Sequence, residues 1–160
     1  EIGHITVMPE GGFQCNCGKK GCLETVASAT GVVRLALKAL EESAESSSLR
    51  STLEADGIIS AKQIFDEARA GDVLAVSIVD QLAFYLGLAI ANLGNALNPD
   101  KIVLGGGVSR AGEVLLTPVD KYYNSFAFPT VAASTSISIA TLGNDAGVIG
   151  AAWLVKNKIA

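Results

Sequence analysis

The chain has 160 residues, of which 49% are hydrophobic and 18% are charged, and its formal net charge is -4 at pH 7. This length suits one domain that buries a sizeable core, and this composition excludes an intrinsically disordered chain. The negative charge, with no basic cluster denser than Lys19 and Lys20, argues against a nucleic-acid surface, which needs several basic side chains on one face.

The first predicted element is a short strand in "GHITVMP", which Pro9 and the following glycines end. All three cysteines and the only histidine of the chain lie on or just after it, at His4, Cys15, Cys17 and Cys22. Three thiolates and one imidazole supply the four tetrahedral ligands of a structural zinc site. Gly18 and Gly21 permit the positive φ angles that such a loop needs, and Lys19 and Lys20 offset the thiolate charge. The alternative is a set of buried cysteines and a core histidine that bind nothing.

Helical patterns fill the middle of the chain. "TVASATGVVRLALKALEESAE" has helical periodicity, and "ESSSLRSTLEADG" is predicted to be a surface loop. Ser60 and Gly71 are predicted to begin and end a helix over "AKQIFDEARA", and Asp72 is predicted to cap a longer apolar helix that ends at Asn98-Pro99. The longest apolar run within it, "LAFYLGLAIANLGNAL", is shorter than the roughly 18 residues of a membrane span and is interrupted by glycine and asparagine. No signal peptide precedes it, so we expect a soluble, cytoplasmic chain with reduced thiols.

The pattern in the last third of the chain predicts a strand, a glycine loop and a helix, an order that is typical of an α/β protein. "KIVLGGGVSRAGEVLLTPVDKYY" predicts a strand at 102–104, three glycines and a helix that ends near Tyr123. "TSISIATLG" predicts a further strand, and "NDAGVIGAAWLVKN" a final helix capped by Asn144 or Asp145. The glycine run lacks the Lys-Ser/Thr of a Walker loop, so it is either a nucleotide contact or a tight turn. The strands are too few for a complete sheet.

These segments together resemble the ROK family of sugar kinases and sugar-responsive repressors. "EIGH" followed by "CNCGKKGCLET" carries the resemblance, which continues through "ASATGVVRLA", "LNPDKIVLGGGVSRAGE" and "LGNDAGVIGAAWL" and is strongest toward glucokinases of the Firmicutes type. It implies an α/β fold: the C-terminal lobe of an actin-like, ribonuclease H-like sugar kinase with a zinc-binding loop. Residues 1–24 would form the strand and zinc loop, residues 25–100 a helical part and residues 101–160 the nucleotide side. The N-terminal lobe would be absent.

The resemblance also implies roles for single residues. His4 would ligate zinc and hydrogen-bond the sugar, Glu1 and Glu24 would bind sugar hydroxyls, and Gly105 and Gly106 would contact the nucleotide of Mg-ATP. Without the resemblance, Glu1 is a surface acid and Glu24 an acid favoured in the first turn of a helix.

The resemblance places the general base upstream of Glu1, so no catalytic residue is expected in this chain. We interpret Asn144 and Asp145 as helix caps on the nucleotide side. Because the chain begins at Glu1 and lacks the phosphate-binding and catalytic motifs of the family, we expect a fragment that is inactive alone.

The function implied is ATP-dependent phosphorylation of glucose to glucose 6-phosphate, in a homodimer or higher homo-oligomer. Three alternatives stay open. The chain could be the sugar-sensing domain of a repressor, a kinase for fructose, mannose or an N-acetylhexosamine, or a zinc-stabilised interaction module.

Overall fold

The computed structural model describes residues 1–158, which form eight α-helices and two strands. In chain order the helices are α1 (Glu24–Ala27), α2 (Ala29–Glu42), α3 (Ser48–Asp56), α4 (Ala61–Ala70), α5 (Val73–Leu97), α6 (Glu113–Phe126), α7 (Pro129–Ser134) and α8 (Ala146–Lys158). The strands are β1 (Lys101–Leu104) and β2 (Ser136–Ile139). Short 3-10 turns cover Ile2–His4, Gly107–Ala111 and Gly143–Asp145.

Helix α5 is the centre of the core, because α1, α2, α4, α6 and α7 all pack against it. Gly87 allows the closest approach: a Cβ at this position would lie 2.5 Å from the Cβ of Tyr122 on α6. The packing partners include the fully buried Leu82, Leu115 and Val119. The expectation that α5 is buried on more than one side is therefore confirmed.

The predicted helix between Asp72 and Asn98 is confirmed as the 25 residues of α5, but the expectation that its apolar run is too short to span a membrane was wrong. By length and composition α5 is the one helix among residues 1–158 that could cross a membrane. More than half of its most apolar stretch is buried against the other helices. Core helices of globular proteins pass the same test, and the packing of α5 is that of a core helix.

The two strands form a parallel pair, in which Lys101 pairs with Ser136 and Leu104 with Ile139. Helices α6 and α7 make the connection between them, as parallel strands require. Both strands lie where the sequence predicted them, although α7 was not predicted. Within the described residues each strand has one neighbour only, so the sheet is small, as expected.

Helix boundaries in the middle of the chain follow the predicted caps. Ser60 and Gln63 form a capping box at the start of α4, and Gly71 ends that helix with φ 90°. The Asp72 carboxylate accepts from the Ala75 backbone N–H at 2.9 Å and begins α5. Asn98 ends α5 in the left-handed conformation with φ 45°. Local side-chain chemistry therefore determines where these helices begin and end.

Two predictions in the first half of the chain were wrong. The serine-rich segment is not a loop: it contains α3, which Ser47 caps and which inserts the fully buried Leu49 into the core. The N-terminal segment is not a regular strand but a 3-10 turn followed by a single antiparallel bridge between Thr6 and Cys22. The helix predicted from Thr25 onward is divided into α1 and α2 at Ser28, whose side chain caps α2.

Helix α8 begins directly after the 3-10 turn Gly143–Asp145, so the predicted final helix is confirmed. Asp145 directly precedes α8, and its role as a cap of that helix stays a prediction; the side chain of Asn144 lies outside what the structure describes. None of the described side chains of α8 is buried, and several large apolar ones are exposed, namely Val148, Ile149, Trp153, Leu154 and Val155.

Hydrogen bonds to the Asp72 side chain connect α3 to α5, and removing this side chain tests the connection. Its carboxylate accepts from Ser47 Oγ at 3.0 Å and from the Ser48 backbone N–H at 2.9 Å as well as from Ala75. We expect Asp72→Ala to lower the free energy of unfolding at pH 7 by about 1–2 kcal/mol, the usual cost of a lost N-cap.

The pH dependence of that loss provides a second test. Partial burial raises the pKa of the Asp72 carboxyl, but the hydrogen bonds from Ala75, Ser47 and Ser48 outweigh it, so the pKa lies below its ordinary value. The stabilisation is therefore present above the unfolded pKa of about 3.9 and is lost as the pH falls through the folded pKa. Urea unfolding should show the difference from wild type shrinking below about pH 4, whereas the exposed Asp56→Ala control should change little at any pH. A difference that persists at low pH would contradict this account.

Candidate metal and sugar site

The histidine turn and the cysteine loop lie side by side because backbone hydrogen bonds join them. The Val7 N–H donates to the Gly21 carbonyl at 2.8 Å, and the Leu23 N–H donates to the Ile5 carbonyl at 2.8 Å. Within the loop, the Cys15 N–H donates to the Lys19 carbonyl at 2.8 Å. These bonds bring residues from both ends of the first 24 positions into one cluster.

The four predicted metal ligands meet in this cluster. One ligand atom from each of His4, Cys15, Cys17 and Cys22 lies within 4.8 Å of all the others. Cys15 Sγ lies 3.6 Å from His4 Nδ1, and Cys17 Sγ lies 3.6 Å from Cys22 Sγ. In a tetrahedral site with metal–sulfur bonds of about 2.3 Å, the sulfur atoms are about 3.8 Å apart. The chain therefore holds a donor set that could bind a metal ion.

The thiols of the cluster differ in acidity. Burial raises the pKa of the Cys22 thiol to about 11, and its hydrogen bonds with Cys17 and Cys15 add to this effect. The backbone N–H of Lys19 lowers the pKa of the exposed Cys17 thiol, with further help from the Lys19 ammonium. Because metals bind thiolates, loading the cluster must release protons, and metal affinity should increase with pH.

The three predicted sugar-binding residues lie together beside the cluster. His4 Nε2 is 3.4 Å from Glu1 Oε2, on the opposite side of the imidazole from Cys15. Glu24 is the first residue of α1, and its carboxylate lies near Gly3. Its Oε2 atom is 3.5 Å from the position that a Cβ on residue 3 would take. Both carboxylates are exposed. Two carboxylates and an oriented imidazole can hydrogen-bond the hydroxyls of a polyol.

A small cleft of about 70 Å³ connects Glu24 to the cysteine loop. Its lining includes the side chains of Thr30 and Arg34 from α2, which sequence reasoning did not select. Thr30 and Arg34 are four residues apart and share one face of α2, but α1 and α2 are separate helices, so helical spacing did not place that face beside Glu24.

The glycine run leaves β1 as expected, but a 3-10 turn follows it and not an α-helix. Gly106 adopts φ 84°, and no atom lies within 4 Å of the position of a Cβ there. Gly105 is nearly as open, since the Cβ of Ala140, its nearest neighbour, is 3.7 Å away. Both glycines therefore leave room for a ligand against the backbone.

A cavity of about 410 Å³ lies between this turn and α4. Lys62, Asp66 and Arg69 line it from α4, while Gly107 and Arg110 line it from the 3-10 turn. Arg69 also donates to the Ala111 carbonyl at 3.2 Å and so connects the two elements. The α4 residues were not selected from the sequence, although their spacing of four and three places them on one helix face.

Comparison with known proteins identifies the family of the chain. The profile of the ROK family matches residues 1–158. The glucokinase of Halalkalibacterium halodurans is 58% identical over 158 residues, which are 99% of this chain and 48% of that protein. The DNA-binding transcriptional repressor Mlc of Escherichia coli is 33% identical over 98% of this chain and 37% of its own length.

Among solved structures, a ROK family glucokinase from Streptomyces griseus in complex with glucose and AMPPNP superimposes with a TM-score of 0.79. It is 34% identical, and the match covers 96% of this chain and 50% of that one. The chain thus spans about half the length of the glucokinases that it matches.

The loop geometry predicts a difference between two glycines that both have positive φ. Gly21 has φ 73°, and a Cβ there would lie 1.8 Å from the Met8 carbonyl oxygen; Gly18 has φ 90° and open space around it. Gly18→Ala should cost about 1–2 kcal/mol, the strain of a left-handed residue. Gly21→Ala should cost at least about 2 kcal/mol more, because backbone must move. Urea unfolding of both variants measures the difference; equal losses would contradict the close approach.

Proposed function

This chain belongs to the ROK family, and we propose that it is the C-terminal half of a glucokinase. That enzyme would transfer the γ-phosphoryl group of Mg-ATP to the 6-hydroxyl of glucose. The observation that carries the proposal is the meeting of Glu1, His4 and Glu24 beside a cluster of three cysteines. The 58% identity to a glucokinase supports this substrate over other sugars.

In the proposed sugar site, Glu1 and Glu24 accept hydrogen bonds from hydroxyls, and His4 donates through Nε2. Charged acceptors that recognise particular hydroxyls discriminate strongly against sugars that lack them. The position of Nε2 beside Glu1, away from the thiols, supports this role for His4. These side chains would position the sugar, and positioning is a large part of catalysis in phosphoryl transfer.

We propose that the cluster of His4, Cys15, Cys17 and Cys22 holds a structural zinc ion. Three thiolates and an imidazole are typical zinc ligands, and their spacing fits a tetrahedral site. Four protein ligands leave no open position for a reacting water, so the ion would supply rigidity and not chemistry. Its effect would be to fix the orientation of His4 toward the sugar.

For the nucleotide, we propose contacts with the backbone of Gly105 and Gly106. Open space at these glycines supports this assignment. The neighbouring cavity supplies the basic side chains of Lys62, Arg69 and Arg110, which suit a phosphorylated ligand. Asp145 lies on a turn that contacts the 3-10 turn after these glycines, so we assign it to the nucleotide side and not to the catalytic base.

The base and the phosphate-binding loop would come from polypeptide that precedes Glu1 in the whole enzyme. Exposed apolar surface supports this incompleteness, since Trp153 on α8 is 63% exposed and Val103 on β1 is 55% exposed. A homodimer or higher oligomer could cover part of this surface, and both are included in the proposal. The whole enzyme would be cytoplasmic, because three unpaired thiols suit a reducing compartment.

The second candidate is the sugar-sensing domain of a repressor, which the similarity to Mlc favours. A repressor would use the same sugar and metal residues but would need no catalysis. Sugar binding without phosphoryl transfer would identify it. A kinase for fructose, mannose or an N-acetylhexosamine would instead turn over with that sugar faster than with glucose.

The metal assignment predicts about one zinc ion per chain. Cys17→Ser should release it and lower the thermal midpoint, because metal binding stabilises the folded loop. Glu10→Gln, an exposed change in the same loop, is the control and should retain the metal. Metal analysis of purified protein together with thermal melts provides the test. Wild-type protein without zinc would exclude the site.

The glucokinase assignment predicts ATP-dependent phosphorylation of glucose by protein that includes the upstream half, and none by residues 1–160 alone. In the whole enzyme, Glu24→Gln should lower kcat/KM for glucose by about 10- to 100-fold, the loss expected when a hydrogen bond to a charged group is weakened. The same change at Glu10 should leave kcat/KM unaltered. A coupled assay for glucose 6-phosphate measures both. Glucose binding without turnover would favour the repressor.

A further inference from the structure

Lys19 and Lys20 are neighbours in sequence, but the structure gives their side chains different surroundings. The Lys19 ammonium donates to the His4 backbone carbonyl at 2.8 Å. In the part of the chain that the structure describes, the Lys20 ammonium has no hydrogen-bond or ion-pair partner. The Lys19 ammonium also acts on the Cys17 thiol, so charge already separates the two lysines, and the contact with His4 adds a difference in geometry.

The backbone of Lys19 is itself fixed within the cysteine loop. Its carbonyl accepts from the Cys15 N–H at 2.8 Å and from Gln14 Nε2 at 3.2 Å. An antiparallel bridge between Gln14 and Lys20 holds the next residue. The Lys19 side chain therefore reaches His4 from a fixed backbone. The main cost of the contact is the conformational entropy that this one long side chain loses.

On the other side of the contact, the His4 carbonyl ends the 3-10 turn that carries the imidazole. Lys19 is the one donor to this carbonyl among residues 1–158. The following peptide is held independently, because the Leu23 N–H donates to the Ile5 carbonyl at 2.8 Å. Losing the lysine would thus loosen the His4 carbonyl, although the His4 N–H would still donate to the Glu1 carbonyl at 3.1 Å.

We propose that Lys19 is a positioning residue, whose ammonium fixes the backbone of His4 so that Nδ1 faces the thiols and Nε2 faces Glu1. This inference rests on the metal site of the proposed function. Hydrogen bonds from charged donors are about twice as strong as those from neutral donors. A lysine can therefore hold the His4 carbonyl even though the contact is exposed. Groups that orient a ligating histidine typically change metal affinity by about 10- to 100-fold when removed.

The test compares Lys19→Met with Lys20→Met in the full chain, since each variant removes one positive charge from the same loop. Zinc affinity is measured by competition with a chelator, and the geometry of the site by the visible absorption of the cobalt-loaded protein at saturation. We expect Lys19→Met to weaken zinc binding about tenfold and to shift the cobalt bands. Lys20→Met should stay within about twofold of wild type, and Lys19→Arg, which keeps a charged donor, should restore most of the affinity.

Each result bears on the inference in a defined way. If the cobalt bands of Lys19→Met match those of wild type, Lys19 acts at most through its charge and the positioning role is overturned whatever the affinity, while the zinc site stands. If wild type binds no zinc, the metal site and the inference fall together. If Lys19→Met does not fold, Lys19→Gln replaces it, and the inference then requires Gln to bind zinc more weakly than Arg.

Discussion

The contact between Gly21 and Met8 is the constraint on which the site depends. The Met8 backbone lies so close to Gly21 that no side chain fits between them, and the Val7 N–H reaches the Gly21 carbonyl at 2.8 Å. This approach places Cys22, one residue later, opposite Thr6 and next to the histidine turn. Without it, fewer contacts would join the histidine turn to the cysteine loop, and the meeting of the ligands would carry a larger entropy cost.

The site is also tied to the core through residues that follow the last cysteine. Leu23 and Val26 are buried, and Val26 belongs to α1, which packs against α2 and α5. Glu24 lies between these two apolar residues, so its backbone cannot move independently of the core. A carboxylate on an anchored first turn of a helix is well suited to a binding role, because little order has to be gained when a ligand arrives.

Apolar side chains are buried in one part of the molecule and exposed in another. Around α5 the packing is dense, with Leu82 and Leu115 fully buried. Val103 on β1 and the large apolar side chains of α8 are exposed, and the described sheet has free edges. An unpaired edge next to apolar surface is a site where further polypeptide adds favourably. The glycine run, which directly follows β1, therefore borders apolar surface that is uncovered within residues 1–158.

Sequence alone determined the features that depend on local chemistry. The caps at Ser60 and Asp72, the stop at Gly71 and both strands were predictable, because each depends on neighbouring residues. The metal-ligand set was predictable from residue type and proximity in sequence. Only the tertiary structure decided the rest. It formed α3, in which Leu49 is buried, and it replaced the predicted first strand with a turn, because within residues 1–158 only Thr6 of this segment has a bridge partner, Cys22. It also separated Lys19 from Lys20 and brought Arg69 to the glycine turn, because such contacts depend on which distant backbone a side chain reaches.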